Sequence, residues 1–381
     1  MTPWERFAAV ARGGSADKIP VAFIVDSPWI PGFFGIDTID YFLRLDEWLR
    51  VNLALRDRFP EVAWIPGFWV EYGMAAEPPV FGARIMWHHD QAPSIEHVPG
   101  GLATLLQFEP ADPQKHGLMP LVLQRYVDAE KRLLPEGLNI KMVAARGPLA
   151  VAGWLLGITD LLIGLKTDPE PYARLLDTLT TTIIAWLRAQ LAVLRAPEGV
   201  LVLDDIVGML SPKLFEQFAR PYFSRIFAAF DGMIRVYHND MPCAHLLDRL
   251  PTLGFDVFNF SHEIDIADAR AKMPRVALMG NVPTLDVMVR GTPAQAEAWA
   301  RECIRKTKGR GLILSAGGGI SPGTPAETIE AVMRATADYH KARGGLRSAV
   351  SGQFNSEAKC NTSSAPNTQP TIASLPTSTT S

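Results

Sequence analysis

Cysteine is scarce in this chain. Three residues, Cys243, Cys303 and Cys360, stand among 381, too few and too scattered for a disulfide framework, which points to a reducing, cytoplasmic setting. Long hydrophobic runs are absent too: every apolar stretch is broken by charge, Gly or Pro before it reaches membrane-spanning length. Nor is there an excess of one charge. Lys and Arg number 37 against 40 Asp and Glu, for a net charge of −3, which excludes a basic nucleic-acid face and an acidic tail. The opening "MTPWERFAAVARGGSADKIP" holds two acids and no apolar core, unlike a signal peptide. No Gly-x-Gly-x-x-Gly follows the first apolar run, which argues against an open dinucleotide-binding sheet. What remains is the composition of a globular protein, 48% hydrophobic and 20% charged.

Beyond Gly344 there is little left to bury. "SGQFNSEAKCNTSSAPNTQPTIASLPTSTTS" is Ser, Thr, Pro and Asn, and such a segment cannot offset its own ordering entropy. The sequence therefore predicts one folded domain over 1–345 and a disordered tail over 346–381. Inside the domain, eight short apolar runs alternate with helical patterns: 19–25, 62–67, 140–147, 200–205, 233–239, 255–261, 275–281 and 311–317. Continuous rather than alternating hydrophobicity suits strands covered on both faces of a parallel sheet. Ser211-Pro212, Thr292-Pro293 and Thr324-Pro325 each set a hydroxyl before a Pro, which marks helix starts. "PKLFEQFARPYFSRIFAAF" and "TPAQAEAWARECIRKTK" read as amphipathic helices. Eight strand–helix units predict an α/β fold, a (β/α)8 TIM barrel. The stretch from Phe68 to Pro99 is the main insertion, with "ARIMWHHDQAPSIEHV" a hairpin or loop over one mouth.

Such barrels keep their chemistry at the C-terminal ends of the strands. Those ends carry Arg146, Asp204-Asp205, His238-Asn239-Asp240, Ser261-His262-Glu263, Gly280-Asn281 and Gly317-Gly318-Gly319. Polar residues at so many exits from apolar strands concentrate at one rim.

The motifs "GPLAVAGWLLG", "VLVLDDIVGMLSPKLFEQFARPYF", "VYHND", "MGNVPTLDVMVRGTPAQAEAWARECI" and "LILSAGGGISPGTPAETIEAVMRA" resemble the uroporphyrinogen decarboxylase superfamily, which includes cobamide-dependent methyltransferases. The resemblance covers about residues 3–343 and implies the same barrel. It also exposes departures. Decarboxylases open their first strand with a P-x-W-x-M-R-Q-A-G-R motif whose arginines hold substrate carboxylates. Here "IPVAFIVDSPWIPGFFG" has no arginine. Where the family's catalytic Asp falls, the only acid is Glu71; its Tyr falls on Trp154 and its late His on Gly318. The methyltransferase branch holds zinc with a His-x-Cys and a late Cys. This chain keeps His238, but Asp240 and Gly318 stand at the cysteine positions.

His238, Asp240, His262 and Glu263 are therefore candidate ligands for zinc or another divalent metal. Equally, His262 and Glu263 cap the next helix and His238 belongs to a rim network. His238, Asp204, Asp205 and Glu263 are the candidate catalytic groups, the two aspartates serving in proton transfer or in bonds to loop amides. Arg146 pins a substrate carboxylate or pairs with Asp204. Trp154, Asn281, Gly317, Gly318 and Gly319 complete the substrate-binding candidates, the glycines either lacking a reactive side chain or admitting a bulky ligand. His88, His89 and Asp90 read as a solvated hairpin, Cys243 as a candidate ligand and Cys303 as core; Trp69, Trp87 and Trp154 line the mouth or pack in the core. The resemblance implies methyl transfer between a small methylated compound and a corrinoid supplied by a partner protein, since no Asp-x-His-x-x-Gly motif is present. The alternatives are a decarboxylase of a porphyrinogen or another carboxylic acid, and a non-catalytic tetrapyrrole-binding protein. No nucleic-acid or membrane partner is expected.

Overall fold

The computed structural model describes residues 1–25, 29–73 and 75–340. Its strands are β1 (Val21–Ile24), β2 (Val62–Ile65), β3 (Arg84–Met86), β4 (Ser94–Glu96), β5 (Met142–Arg146), β6 (Gly199–Leu203), β7 (Ile234–Asn239), β8 (Val257–Phe260), β9 (Ala277–Val282) and β10 (Leu312–Ala316). Each of the eight apolar runs holds a strand. Eight of the ten form one sheet in the order β2-β1-β10-β9-β8-β7-β6-β5, every ladder parallel. The first and last strands of the chain pair with each other, Val21 opposite Leu314, so the sheet curls into a nearly closed (β/α)8 barrel with helices around it. Among the described residues no ladder joins β2 to β5, and the long excursion that carries β3 and β4 runs between those two strands.

Side-chain alternation decides what fills the barrel. Ala22 and Ile24, Ala63 and Ile65, Met142 and Ala144, Leu201 and Leu203, Ile234 and Val236 lie two apart along their strands in one buried cluster. Helix Pro3–Ala11 plugs one end of it, adding Phe7, Ala8, Val10 and Ala11. Thr2 and Glu5 form its capping box, and Arg6 anchors it through Asp17 and Glu61 at 2.7 and 3.0 Å. Continuing the same alternation one step further brings Arg146, Asp205, His238 and Asn259 onto the interior face at the opposite end.

The stretch "PKLFEQFARPYFSRIFAAF" is two helices, Pro212–Phe218 and Arg220–Ala228. Pro221 accounts for the break, since it has no N–H to donate and its ring crowds the preceding turn. Ser211 caps the first through its hydroxyl, and Thr292 caps Pro293–Thr307 in a full capping box. The Thr324 hydroxyl donates to the Ser321 carbonyl instead. Within 68–99, β3 and β4 form the antiparallel hairpin, Ile85 opposite Ile95. Among the described residues no single helix is long and apolar enough to cross a membrane. Met1–Ala337 make one compact unit; of the second, Asp338–Ser381, only 338–340 are described, so the tail expected from 346 lies outside the described residues, as does Cys360.

Candidate active site at the mouth of the barrel

A cavity of about 870 Å³ opens at the C-terminal ends of the strands. Its floor carries Arg146, Asp205, His238 and Asp240, and one wall is the helix Pro148–Leu156. Ala150, Gly153, Trp154 and Gly157, spaced three, four and seven apart, face the space together. Three small residues hollow the wall, and Trp154 is its bulkiest side chain, with Leu156 also lining the space. Ile95 and His97, at the end of the β3–β4 hairpin, line the cavity beside this wall, with Ile158 and Met209. The hairpin is tied down where the Val98 amide donates to the Leu155 carbonyl at 2.9 Å.

Three titratable side chains converge on the floor. One ligand-type atom each from Asp205, His238 and Asp240 lies within 4.8 Å of the others. His238 Nε2 is 3.6 Å from Asp205 Oδ1, and the same oxygen accepts from the Asp240 amide at 3.1 Å. His238 Nδ1 lies 2.7 Å from Asn259 Oδ1. Asp240 is open to solvent on its outer side, yet desolvation by the surrounding rim pushes its carboxyl up. The Asp205 charge adds to the rise and His238 opposes it.

Asp204 and Asp205 are neighbours with different surroundings. Asp205 continues the interior series of Leu201 and Leu203, whereas Asp204 continues the outward series of Val200 and Val202. Asp204 is fully buried and does not line the cavity. Its carboxyl accepts from the Ala150 amide at 2.9 Å and the Ile206 amide at 3.2 Å, which places it at the N-terminus of helix Pro148–Leu156. Burial pushes it up to about 8, against the pull of those amides and of Leu149. The structure thus uses Asp204 to hold loop amides, one of its two expected roles.

Arg146 lines the cavity with its guanidinium 5.6 Å from the Trp69 ring. Behind it lies Glu77, which accepts from the Arg146 amide at 3.0 Å; burial raises its carboxyl, and Arg146 is the largest opposing influence. Glu71 is buried near Glu77 rather than at the cavity. Trp69 packs in the core cluster and Trp87 is exposed on the hairpin.

His262 and Glu263 do not join the floor group. Glu263 is exposed, and the His262 ring lies edge-on to Trp299, 6.5 Å between centroids. The following helix, Ile266–Lys272, is capped by Asp265 rather than by either of them. Asn281 is buried outside the cavity lining, donating to the Ser261 and Ile264 carbonyls at 3.1 and 2.8 Å and thereby pinning the turn after β8. Cys303 packs against it, and Cys243 is fully buried, its thiol pushed up to about 12 by desolvation. His88 and His89 are exposed, the first bonded to Ser94 and the second 3.5 Å from Asp37.

The three glycines differ. A methyl at Gly317 would meet the His262 amide nitrogen at 2.7 Å, so bare backbone is needed for β10 to pass the turn after β8. At Gly318, with φ +154°, a methyl would meet an Asp240 carboxylate oxygen at 3.1 Å. The position where the resemblance places a late reactive side chain therefore lies directly beside the floor group. At Gly319 nothing stands nearer than 3.8 Å, and the residue lines the cavity.

The uroporphyrinogen decarboxylase (URO-D) family model matches residues 2–339. The chain belongs to the uroporphyrinogen decarboxylase family. Within it, a Synechococcus uroporphyrinogen decarboxylase is 33% identical over 176 residues, 44% of this chain and 48% of that protein. The chain thus spans about half the length of such decarboxylases. A methylated-thiol–coenzyme M methyltransferase from Methanosarcina mazei is 25% identical over 353 residues, 88% of this chain and 89% of the relative. A solved methyltransferase structure from Methanosarcina mazei superposes with a TM-score of 0.77 at 19% identity, covering 89% of this chain and 99% of that one. The family's members include decarboxylases and methyltransferases, so this chain is an enzyme-family barrel whose reaction the site itself has to argue.

Asn259 escaped the sequence reading. It is a polar residue within the strand run "FDVFNFS", two residues after Val257 on the interior face. That parity was the available signal. His97 was hidden because its approach to the cavity depends on where the hairpin folds.

Proposed function

We propose that this chain is a methyltransferase that moves a methyl group between a small methylated compound and a corrinoid carried by a partner protein. The observation that carries the reading is the charge of the cavity. Among the described residues Asp160, Asp205 and Asp240 line it against one permanent cation, Arg146. A porphyrinogen with eight carboxylates would meet repulsion there, because buried carboxylates need cationic or amide partners. The nearly full-length likeness to a methyltransferase supports the same direction. The half-length likeness to decarboxylases is what favours the second reading, a carboxy-lyase.

The floor group suits a divalent cation. A zinc ion with ligand bonds of about 2.0–2.2 Å separates its tetrahedral ligands by about 3.3 Å, close to the 3.6 Å between His238 Nε2 and Asp205 Oδ1. One imidazole and two carboxylates are donors that zinc, iron or manganese accept. A cation held by Asp205, His238 and Asp240 would supply Lewis-acid polarisation of the substrate's heteroatom. The remaining roles belong to the chain. Arg146 would hold an acidic group of a substrate, Trp154 and the hollowed wall would take its apolar body, and Ile95, Ile158 and Met209 would shield it from water.

The test is to mix the purified protein with cob(I)alamin, standing in for the partner, and a panel of O-, N- and S-methyl compounds, following methylcobalamin by absorbance. Transfer from any donor supports the reading. Conversion of uroporphyrinogen to coproporphyrinogen would overturn it in favour of the carboxy-lyase; tight tetrapyrrole binding without turnover would favour the non-catalytic alternative. Metal analysis adds a check on the floor group. His238→Ala should remove most of the bound divalent ion and Asp240→Ala less, while Cys243→Ala should leave it in place.

A further inference from the structure

Three strands meet the floor group at one carboxamide. Asn259, on β8, is fully buried, and its Nδ2 lies 2.8 Å from the Met279 carbonyl on β9 and 3.0 Å from the Ala316 carbonyl at the end of β10. A carbonyl only accepts, so the amide nitrogen has to face both. Its oxygen is left facing β7, 2.7 Å from His238 Nδ1. A carboxamide oxygen also only accepts, so Nδ1 has to be the donor whether the ring is neutral or charged.

We propose that Asn259 is a positioning residue that holds His238 as the Nδ1–H form and turns Nε2 towards Asp205, Asp240 and the cavity. The inference rests on reading the His238 group as the reactive centre and adds how its ring is set. Nε2 stands 3.6 Å from Asp205 Oδ1. With Nδ1 already the donor, a neutral ring presents a lone pair to a carboxylate oxygen, an arrangement stable only with a proton or a cation between them. Neutral His238 therefore acts through Nε2 as an acceptor or ligand and has no proton there to give. The Ala316 carbonyl directly precedes Gly317, so the same amide also ties the backbone entering the glycine stretch to the ring.

The experiment is a long-range proton–nitrogen correlation spectrum of the histidine rings in the full, metal-free, ¹⁵N-labelled chain, recorded across neutral to mildly alkaline pH. The His238 signals are assigned by their loss in His238→Gln. Nδ1 should stay protonated throughout, with Nε2 either at the far-downfield position of a bare ring nitrogen or protonated as well. A ring with Nε2–H and bare Nδ1 would overturn the proposal. Asn259→Asp keeps an acceptor and should preserve the Nδ1–H signal, whereas Asn259→Leu should lose it; an unchanged signal in Asn259→Leu would also refute the role. If that variant does not fold, the wild-type spectrum decides alone. The right tautomer in a protein that transfers no methyl group would leave this inference standing and remove only the methyltransferase reading.

Discussion

Replacing Asp204 with Ala tests whether this acid is a scaffold rather than a reagent. The substitution leaves the Ala150 and Ile206 amides, now bonded at 2.9 and 3.2 Å, buried without an acceptor. Each such orphan costs about 1–3 kcal/mol, and the lost side-chain volume adds a small cavity penalty. The expected destabilisation is about 3–5 kcal/mol, a large share of the roughly 5–15 kcal/mol typical of a folded domain. Asp204→Asn keeps one acceptor and should fall between the wild type and Asp204→Ala. A partner substitution sharpens the test. A methyl at Gly147 would stand 2.4 Å from Asp204 Oδ2 and 2.7 Å from its Cβ, so Gly147→Ala should cost about 1–3 kcal/mol by overpacking. In the Asp204→Ala background that cost should shrink, because the clashing atoms beyond Cβ are gone, and a double-mutant cycle reads the coupling directly. Denaturant unfolding followed by circular dichroism supplies all four stabilities. A loss below about 1 kcal/mol in Asp204→Ala, or a Gly147→Ala cost equal in both backgrounds, would refute the reasoning.

Three further outcomes are expected. Gly318→Ala should destabilise the protein by about 1–3 kcal/mol, through its positive φ and the 3.1 Å approach to Asp240, while Gly319→Ala should be within about 0.5 kcal/mol of wild type, as paired melting curves would show. Arg6, first by hydrogen bonding, holds the Asp17 carboxyl at about 2; the stability this contributes is present above about pH 4 and is lost as pH falls towards 2. Asp17→Asn should flatten that acid limb by less than about 1 kcal/mol, since Asp17 is largely solvated, and an undiminished limb in the variant would count against the pairing. Burial pushes the Cys243 and Cys303 thiols up to about 12 and about 11, so in a Cys360→Ser background the native protein should not react with a thiol reagent at pH 8. Rapid labelling of either thiol before unfolding would contradict their burial.

The sequence by itself determined the barrel. Eight continuous apolar runs separated by helical patterns leave few other ways to cover both faces of every strand, and each run became a strand because burial, not local propensity, drives it. It also placed the polar rim, because strand ends are where apolar runs stop. What it could not decide was which face each rim residue takes. Asp204 and Asp205 are chemically identical neighbours, yet one holds the amides of a helix start and the other enters the cavity, because alternation along β6 is set only once the sheet curls and has an inside. His262 and Glu263 followed an interior strand but turned away, since Gly317 brings the backbone of β10 against the turn that carries them. Asn259 became part of the site only when β7, β9 and β10 brought an imidazole and two carbonyls from 21, 20 and 57 residues away within reach of one carboxamide.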